Sequence, residues 1–276
     1  MWLYRGNLIV VAGTLRFIAA GSEFLQPGEY DIPYQTVSLI LLGPGTTVSH
    51  DALRLMARHG TGLVAVGEDG VRLYSAPPLG PDHSQAARRQ ATLWADPEQR
   101  LQTALRLYSW RMGGEELPFR DLSKVRGIEG ARMRETYKLL ARQFGIQWRG
   151  RRYDRSDPES DDPPNQAINH AATAVQAAGG VAVAATATIP QLGFIHEDSS
   201  RAFVLDVADL FRDEFTLPIA FRGVKAFHKD PSVAIERHVR RLAGVTFRRE
   251  GLIPKMIERI KELLNVHDGG GDAQRA

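Results

Sequence analysis

The first 75 residues alternate short apolar runs with turn residues. Runs of strand length, rich in Val, Ile and Leu, lie at 8–11, 15–18, 37–42, 62–66 and 71–74. Such runs are typical of β-strands, and Glu68–Gly70 supplies a turn between the last two. The pattern therefore predicts a small, mainly β domain over residues 1–75.

One segment within this region has helical spacing instead. Ser49 is a favoured N-cap residue, and Gly60 suits a C-terminal cap. Between them the apolar residues Ala52, Leu55 and Met56 fall on one helical face. We therefore expect a single helix in the N-terminal domain.

Residues 76–83 are rich in proline and poor in apolar side chains, and they predict a stiff interdomain linker. Beyond them the apolar spacing changes from about 2 to about 3.6 residues, which is the helical period. The predicted helices lie at 97–113, 122–144, 165–186, 201–212, 218–227, 231–249 and 252–266. The expected fold class is α+β, with an N-terminal mainly β domain, a larger all-α domain at 84–268 and a polar tail at 269–276.

Composition excludes several kinds of site. The 276 residues include no cysteine, so disulfides, thiolate metal sites and cysteine nucleophiles are excluded. No apolar stretch approaches the roughly 18 residues of a membrane-spanning helix, and the N-terminus lacks the features of a signal peptide. We therefore expect a cytoplasmic protein with no membrane partner. The net charge of +3 and the isoelectric point near 9.2 permit a nucleic-acid partner.

The segment from Arg120 to Arg155 concentrates positive charge. It contains eleven Lys or Arg against four Asp or Glu, with Tyr137, Trp148 and Tyr153 interleaved. Arginine contacts phosphates, and aromatic rings offer surfaces on which bases stack. The segment is thus a candidate nucleic-acid interface, although a solvated basic helix face would give the same composition.

Two carboxylates and an imidazole lie close together further along the chain. His196 ends the apolar run Gly193–His196, and Asp206 and Asp209 follow ten and thirteen residues later. If the segment around them is helical, the two aspartates lie on one face. Two interpretations of these three residues are open. They are part of a divalent-metal site, or they are a solvated carboxylate pair and an ordinary loop histidine.

A third carboxylate would complete such a site, and Glu129 is the candidate. It sits in the basic helix between Gly127 and Gly130, where the backbone can approach a ligand closely. A salt bridge from Glu129 to Arg126 or Arg132 is the alternative. Carboxylates with one imidazole suit Mg²⁺ or Mn²⁺.

These motifs together resemble a known family. Their order along the chain is similar to that of the CRISPR-associated spacer integrase, the metal-dependent catalytic subunit of CRISPR adaptation, in its type I-E form. The matching segments are Gly43–His50, Val66–Arg72, Arg126–Gly130, Trp148–Asp154, Asn165–Gln166, Gly193–His196 and Asp206–Asp209.

The resemblance implies a fold, an activity and partners. It implies that Glu129, His196 and Asp209 bind Mg²⁺ or Mn²⁺, with Asp206 as a neighbouring acidic residue needed for activity. It also implies a sandwich-like N-terminal domain, a catalytic helical domain, a homodimer and a small ferredoxin-like partner protein of the adaptation complex. In that family, free 3′-OH ends of protospacer DNA attack phosphodiesters of the CRISPR repeat.

The resemblance further suggests residues that contact double-stranded DNA. Tyr153 matches a position that reads bases at the protospacer end, and Tyr4 is the candidate for splaying that end. Relatives commonly carry a tyrosine on the alanine-rich helix, where this chain has Gln176. The DNA-contact candidates are Tyr4, Arg54, Arg149, Arg151, Arg152, Tyr153 and Arg212.

Two further functions remain open from the residues alone. One is a structure-selective, metal-dependent nuclease that uses water in place of a 3′-OH and cuts branched DNA in repair. The other is a non-catalytic DNA-binding scaffold whose site no longer holds a metal.

Overall fold

The computed structural model describes residues 1–75, 84–114, 117, 120–151 and 162–266. Within these ranges the N-terminal part forms two four-stranded sheets, and the C-terminal part is helical. The α+β fold class is therefore confirmed. The predicted linker at 76–83 and the tail at 269–276 lie outside the described residues, so these boundaries stay predictions.

The N-terminal strands form two sheets of mixed direction. The first sheet has the order β1-β5-β7-β8, and the second has the order β4-β3-β2-β6. The β2–β3 hairpin turns at Ala12 and Gly13, which both have positive φ, as a type I′ turn requires. The strands are β1 Trp2–Leu3, β2 Gly6–Val11, β3 Thr14–Ala19, β4 Gly28–Asp31, β5 Leu39–Leu42, β6 Thr46–Val48, β7 Gly62–Val66 and β8 Leu73–Ser75.

The sequence pattern predicts five of these strands and misses β1, β4 and β6. Strand β4 has no apolar alternation, because it lies at a sheet edge. Its acidic residues pair with Arg16 of β3, at 2.9 Å to Glu29 and 2.7 Å to Asp31. Cross-strand charge pairs thus replace apolar contacts at this edge.

The predicted N-terminal helix is present as α1, His50–Arg58. The Ser49 hydroxyl accepts the backbone N–H of Ala52 at 3.2 Å and caps it. Met56 and Ala52 are buried with Leu8 and Phe17 of the β2–β3 hairpin. The helix therefore completes a core that the sheets alone would leave open.

The C-terminal part packs around one long helix. Alanine-rich α5 is buried along most of its length, and α6, α7, α8 and α9 pack against it. No helix in the described ranges is long and apolar enough to cross a membrane. The helices are α2 Gln85–Ala95, α3 Pro97–Arg111, α4 Leu122–Phe144, α5 Pro163–Ala185, α6 Ala202–Asp209, α7 Leu217–Lys229, α8 Ile235–Glu250 and α9 Leu252–Leu264.

Two corrections concern helices. Helix α2 was not predicted, because its buried face includes the polar residue Gln90 and its apolar spacing is weak. The predicted helix at 201–212 ends at Asp209, and a π-helical turn at Arg212–Thr216 leads into α7. This turn places Arg212 next to the end of α6.

The sheet β1-β5-β7-β8 packs directly on the helices. Leu41, Val64 and Val66 form one buried cluster with Val181 of α5. Arg72 pairs with Glu236 of α8 beside this cluster. The two parts of the chain thus share an apolar interface with an ion pair beside it.

The contact between α7 and α8 generates a stability prediction. A Cβ at Gly223 would lie 2.5 Å from Val239 Cγ2. We expect Gly223→Ala to lower the free energy of unfolding by about 1–3 kcal/mol, because a β-branched neighbour in a packed core cannot yield easily. Urea denaturation measures this.

Gly127→Ala is the matched control for Gly223→Ala. Nothing lies within 4 Å of the added Cβ at Gly127, which is exposed on α4. This change should stabilise the protein by up to about 1 kcal/mol through helix propensity. Equal effects of the two substitutions would show that the α7–α8 contact is not tight.

Candidate active site

The carboxylate of Asp206 organises the Gly193–His196 loop. Asp206 lies on α6 with 0% of its surface exposed. Its Oδ2 accepts the backbone N–H groups of Phe194 at 2.6 Å and Ile195 at 3.1 Å, and its Oδ1 accepts that of His196 at 3.0 Å. Three successive N–H groups therefore point at one buried carboxylate.

The same carboxylate fixes the imidazole of His196. Nδ1 of His196 lies 2.7 Å from Asp206 Oδ1, so it donates to that oxygen. Nε2 then faces Asp209, with 3.9 Å between Nε2 and Asp209 Oδ2. The hydrogen bond to Asp206 raises the pKa of His196 and outweighs the opposing effect of burial.

Gly193 is required by the close approach of this loop to α6. A Cβ at Gly193 would lie 2.3 Å from the carbonyl oxygen of His196 and 2.7 Å from Ala202 Cβ. The second contact belongs to the first residue of α6. Only a residue without a side chain fits there, so the loop can reach Asp206.

Helix α2 holds the other side of the loop. The buried amide of Gln90 donates to the carbonyls of Ile189 at 3.0 Å and Leu192 at 2.9 Å. Its oxygen accepts the N–H of Ile189 at 2.7 Å. The indole N–H of Trp94 donates to Gly193 at 3.0 Å. Neither residue, nor the helix that carries both, is predicted by the apolar pattern of the sequence.

The carboxylates of Glu129 and Asp209 meet at one guanidinium. Arg111, the last residue of α3, donates to Glu129 Oε1, and its Nη1 lies 3.5 Å from Asp209 Oδ2. The side chains of Arg111, Glu129 and Asp209 are 7%, 12% and 15% exposed. Two acidic groups distant in sequence are therefore brought within the span of one buried cation.

Arg212 reaches the same cluster from the π-helical turn. Its Nη2 donates to Asp209 Oδ1. Burial lowers the pKa of Arg212, but the charges of Asp209, Tyr137 and Glu129 and the hydrogen bond to Asp209 together more than offset this, so that the pKa lies above its ordinary value. Arg212, a predicted phosphate contact, thus lies in the active-site cluster as an ion-pair partner.

The alternative prediction for Glu129 was a salt bridge to Arg126 or Arg132. Glu129 does form a salt bridge, but with neither of these residues. Arg132 instead pairs with Asp213 at 2.8 Å. Arg126 donates to the Ile195 carbonyl at 3.4 Å. The partner, Arg111, lies 18 residues from Glu129, and no local spacing rule could have indicated it.

The donor set suits a hard divalent cation, although its present arrangement does not form a complete cage. It offers two carboxylates and an imidazole Nε2 that the bond at Nδ1 leaves available. In the part of the chain that the structure describes, no group of three His, Cys, Asp or Glu side chains is arranged to hold a metal. Arg111 occupies the bonding positions of Glu129 and Asp209 instead.

The two N-terminal DNA-contact candidates lie outside this cluster. The ring of Tyr4 stacks on that of Trp2, with 5.7 Å between centroids, and lies tilted against the ring of Phe24 at 5.6 Å. Arg54 is exposed on α1 and pairs with Asp51 at 2.9 Å. Both residues belong to the sheet-rich part of the chain.

The basic segment after α4 is only partly available for contacts. Arg149 is exposed, whereas Arg151 donates to Asn165 at 2.9 Å and to Asn169 on α5. Tyr137 is buried and stacks on Trp148 at 5.1 Å. The expectation that Tyr137 offers a stacking surface for bases is therefore wrong.

Two predicted DNA contacts fall outside the described residues. These are Arg152 and Tyr153.

Comparisons with known proteins converge on one family. The family model described as CRISPR associated protein Cas1 matches residues 111–227. The CRISPR-associated endonuclease Cas1 of Geobacter sulfurreducens is 35% identical over 272 residues, which cover 99% of this chain and 85% of that protein. The corresponding protein of Escherichia coli K12 is 38% identical, with 84% of this chain and 75% of that protein covered.

The fold also matches a solved structure. The crystal structure of a TtCas1–DNA complex superposes with a TM-score of 0.85 at 32% identity, and the match covers 95% of each chain.

The Asp206–His196 bond generates a prediction of proton affinity. We expect Asp206→Asn to lower the pKa of His196 towards its ordinary value of 6.5, because the charged acceptor is lost. An NMR pH titration of the imidazole in the presence of chelator measures this. Glu197→Gln, which removes an exposed carboxylate next to His196 that pairs with Arg100, should leave the pKa of His196 higher than Asp206→Asn does.

The sign of the linked stability change follows from the raised pKa. Folding raises this pKa, so His196 contributes stability that is full below its ordinary pKa and is lost as pH rises through the raised value. The free energy of unfolding of Asp206→Asn should therefore fall less over that interval than that of the unchanged protein. An identical pH profile for the two proteins would contradict the assigned hydrogen bond.

Proposed function

This chain belongs to the Cas1 family of CRISPR-associated endonucleases, and on that premise we propose that it inserts protospacer DNA into a CRISPR array. The proposed reaction is a metal-dependent transesterification, in which a DNA 3′-OH attacks a phosphodiester of the repeat. The observation that carries this proposal is the approach of three distant side chains to one another: Glu129 in α4 and Asp209 at the end of α6 both contact Arg111, and His196 in the loop before α6 faces Asp209.

Glu129, His196 and Asp209 are the residues that would hold Mg²⁺ or Mn²⁺. When bound, such a cation polarises a phosphate oxygen and stabilises the charge that develops during phosphoryl transfer. Asp206 contributes indirectly, because it orients the imidazole and keeps Nδ1 engaged. His196 can then present Nε2 to a ligand without rotating.

The face of α4 beside Glu129 is suited to the approach of a DNA backbone. A Cβ at Gly127 would meet nothing within 4 Å, and one at Gly130 would meet only the end of Arg134, at 3.9 Å. Arg126 is exposed on the same helix and reaches the Ile195 carbonyl beside the site. Bare backbone next to positive charge allows a phosphate to come close.

The proposed nucleophile comes from DNA, and the chain's own residues position the reacting groups. The sequence contains no cysteine, and the side chains that converge at the site are carboxylates, an imidazole and guanidiniums. None of these need form a bond to phosphorus in a direct transesterification. Arg212 beside Asp209 would neutralise phosphate charge as DNA enters.

Double-stranded DNA, a second copy of the chain and a small ferredoxin-like protein are the proposed partners. A relative of 32% identity has been crystallised as a DNA complex, which supports DNA as the ligand. The DNA-contact candidates that are exposed in the described ranges are Arg54, Arg149 and Arg151, and the guanidinium of Arg151 also donates to Asn165 and Asn169. The homodimer and the partner protein rest on the family resemblance.

The proposed site predicts the effect of two substitutions. Glu129→Ala and Asp209→Ala should each reduce strand transfer at least about 100-fold, because each removes a charge that acts on the transition state. The assay combines the chain, its partner protein, Mn²⁺, a duplex with free 3′-OH ends and a supercoiled array plasmid. Branched products are then counted on a gel.

Glu135→Ala is the matched control for these two variants. Glu135 is an exposed carboxylate on the same helix as Glu129, and it pairs with Lys138 at 2.7 Å. Its loss should leave the yield within about twofold of the unchanged protein, as surface ion pairs contribute little. An undiminished yield from Glu129→Ala or Asp209→Ala would reject the site.

A second candidate function is a structure-selective nuclease that acts on branched DNA with water as the nucleophile. This candidate is supported by the name of the Geobacter sulfurreducens relative, which is called an endonuclease. A duplex with 3′-deoxy ends separates the two functions, because an integrase needs the 3′-OH and a nuclease does not. We expect joined products to disappear with these ends, and continued cutting of branched DNA would favour the nuclease.

A further inference from the structure

Arg111 contacts both acidic residues that are the proposed metal ligands. We infer that Arg111 is an internal cation that occupies the Glu129–Asp209 pair when no metal is bound, and that a divalent cation must displace it to bind. This inference rests on the proposed function, since it concerns the same carboxylates. It assigns Arg111 a positioning role that the sequence analysis did not foresee.

The charge balance of the site explains why an internal cation is needed. Glu129 and Asp209 are 12% and 15% exposed at their side chains, and two carboxylates this deeply buried and close together repel each other. Arg212 donates to Asp209, whereas Arg111 bridges Asp209 to Glu129. The bridge thus places one positive charge between the two carboxylates and holds their side chains near each other.

Arg111 and a metal would use the same oxygen atoms. The guanidinium contacts Glu129 Oε1 and lies 3.5 Å from Asp209 Oδ2. Asp209 Oδ2 is also the oxygen that lies 3.9 Å from His196 Nε2, so it is the atom a shared ligand would need. Simultaneous binding of a guanidinium and a divalent cation to these oxygens is excluded by space and by charge repulsion.

The structure offers the displaced guanidinium a second position. A cavity of about 260 Å³ lies beside the site and is lined by Arg111, Asp209, Arg132 and Asp213. Within the described residues, Asp213 Oδ1 is buried and accepts no hydrogen bond, while its other oxygen accepts from Arg132. A rotated Arg111 would therefore exchange one carboxylate partner for another.

The backbone of Arg111 is held in place, so that only the side chain needs to move. Arg132 donates through Nη2 to the Arg111 carbonyl at 2.5 Å. The guanidinium carbon of Arg111 lies 5.4 Å from the centre of the Tyr108 ring, within the range of a cation–π contact. The end of α3 is thereby a fixed pivot for two side-chain positions.

Calorimetric titration of the full chain with Mn²⁺ at pH 8 tests the inference. Arg111→Met should bind Mn²⁺ about tenfold more tightly or better than the unchanged protein, because the competing charge is gone. Arg111→Lys keeps the charge but not the planar bridge, so its affinity should lie between the two. Arg100→Met is the control, since Arg100 lies on the same helix and pairs with Glu197 at 2.6 Å.

Thermal unfolding provides a second readout. Arg111→Met leaves two buried carboxylates without their bridge, so it should melt at a lower temperature than the unchanged protein in chelator. Added Mn²⁺ should raise its melting temperature by more than that of the unchanged protein, in line with its tighter binding. If Arg111→Met does not fold, Arg111→Lys decides, and an affinity no higher than that of the unchanged protein overturns the inference.

The outcomes separate this inference from the proposed function. Equal or weaker Mn²⁺ binding by Arg111→Met, with binding abolished in Glu129→Ala, would overturn the role of Arg111 and leave the metal site standing. Absence of Mn²⁺ binding in every variant would overturn the metal site and the inference together. Tighter binding by Arg111→Met with unchanged binding by Arg100→Met supports both.

Discussion

The site depends on a buried carboxylate that water does not reach. Asp206 is 0% exposed, and three backbone N–H groups and the His196 imidazole donate hydrogen bonds to it in place of water. The loop keeps its shape for the reciprocal reason, since its N–H groups would otherwise be buried without acceptors. Gly193 at one end and α6 at the other make this mutual dependence possible.

The sequence predicted the parts of the molecule that follow from local periodicity. The change from strand to helix spacing marks the two structural regions, and α4 and α5 lie close to their predicted positions. Asp206 and Asp209 could be placed on one helix face from their separation alone. The difference between them, with Asp206 bonded to the loop and Asp209 facing His196 Nε2, could not be predicted in this way. The burial of Asp206 depends on the loop that folds over it.

The remaining features arise from contacts between distant segments. Arg111 meets Glu129 only because the end of α3 packs against α4, and nothing in the sequence around Arg111 indicates this contact. Gln90 likewise finds its hydrogen-bond partner in Ile189, which lies 99 residues away in the sequence. A buried polar residue such as Gln90 weakens the apolar pattern of α2. For this reason the apolar spacing of the sequence does not predict this helix, although it holds the Gly193–His196 loop in place.

The apolar cluster between sheet and helix α5 has a consequence for dissecting the protein. Leu41, Val64 and Val66 are covered by Val181. Cleavage of the chain between residues 75 and 84 would therefore leave this cluster shared between the two fragments. Each fragment would carry one half of a hydrophobic surface and depend on the other half for solubility. The C-terminal helices are therefore a region of this protein and not a module that can be moved to another scaffold.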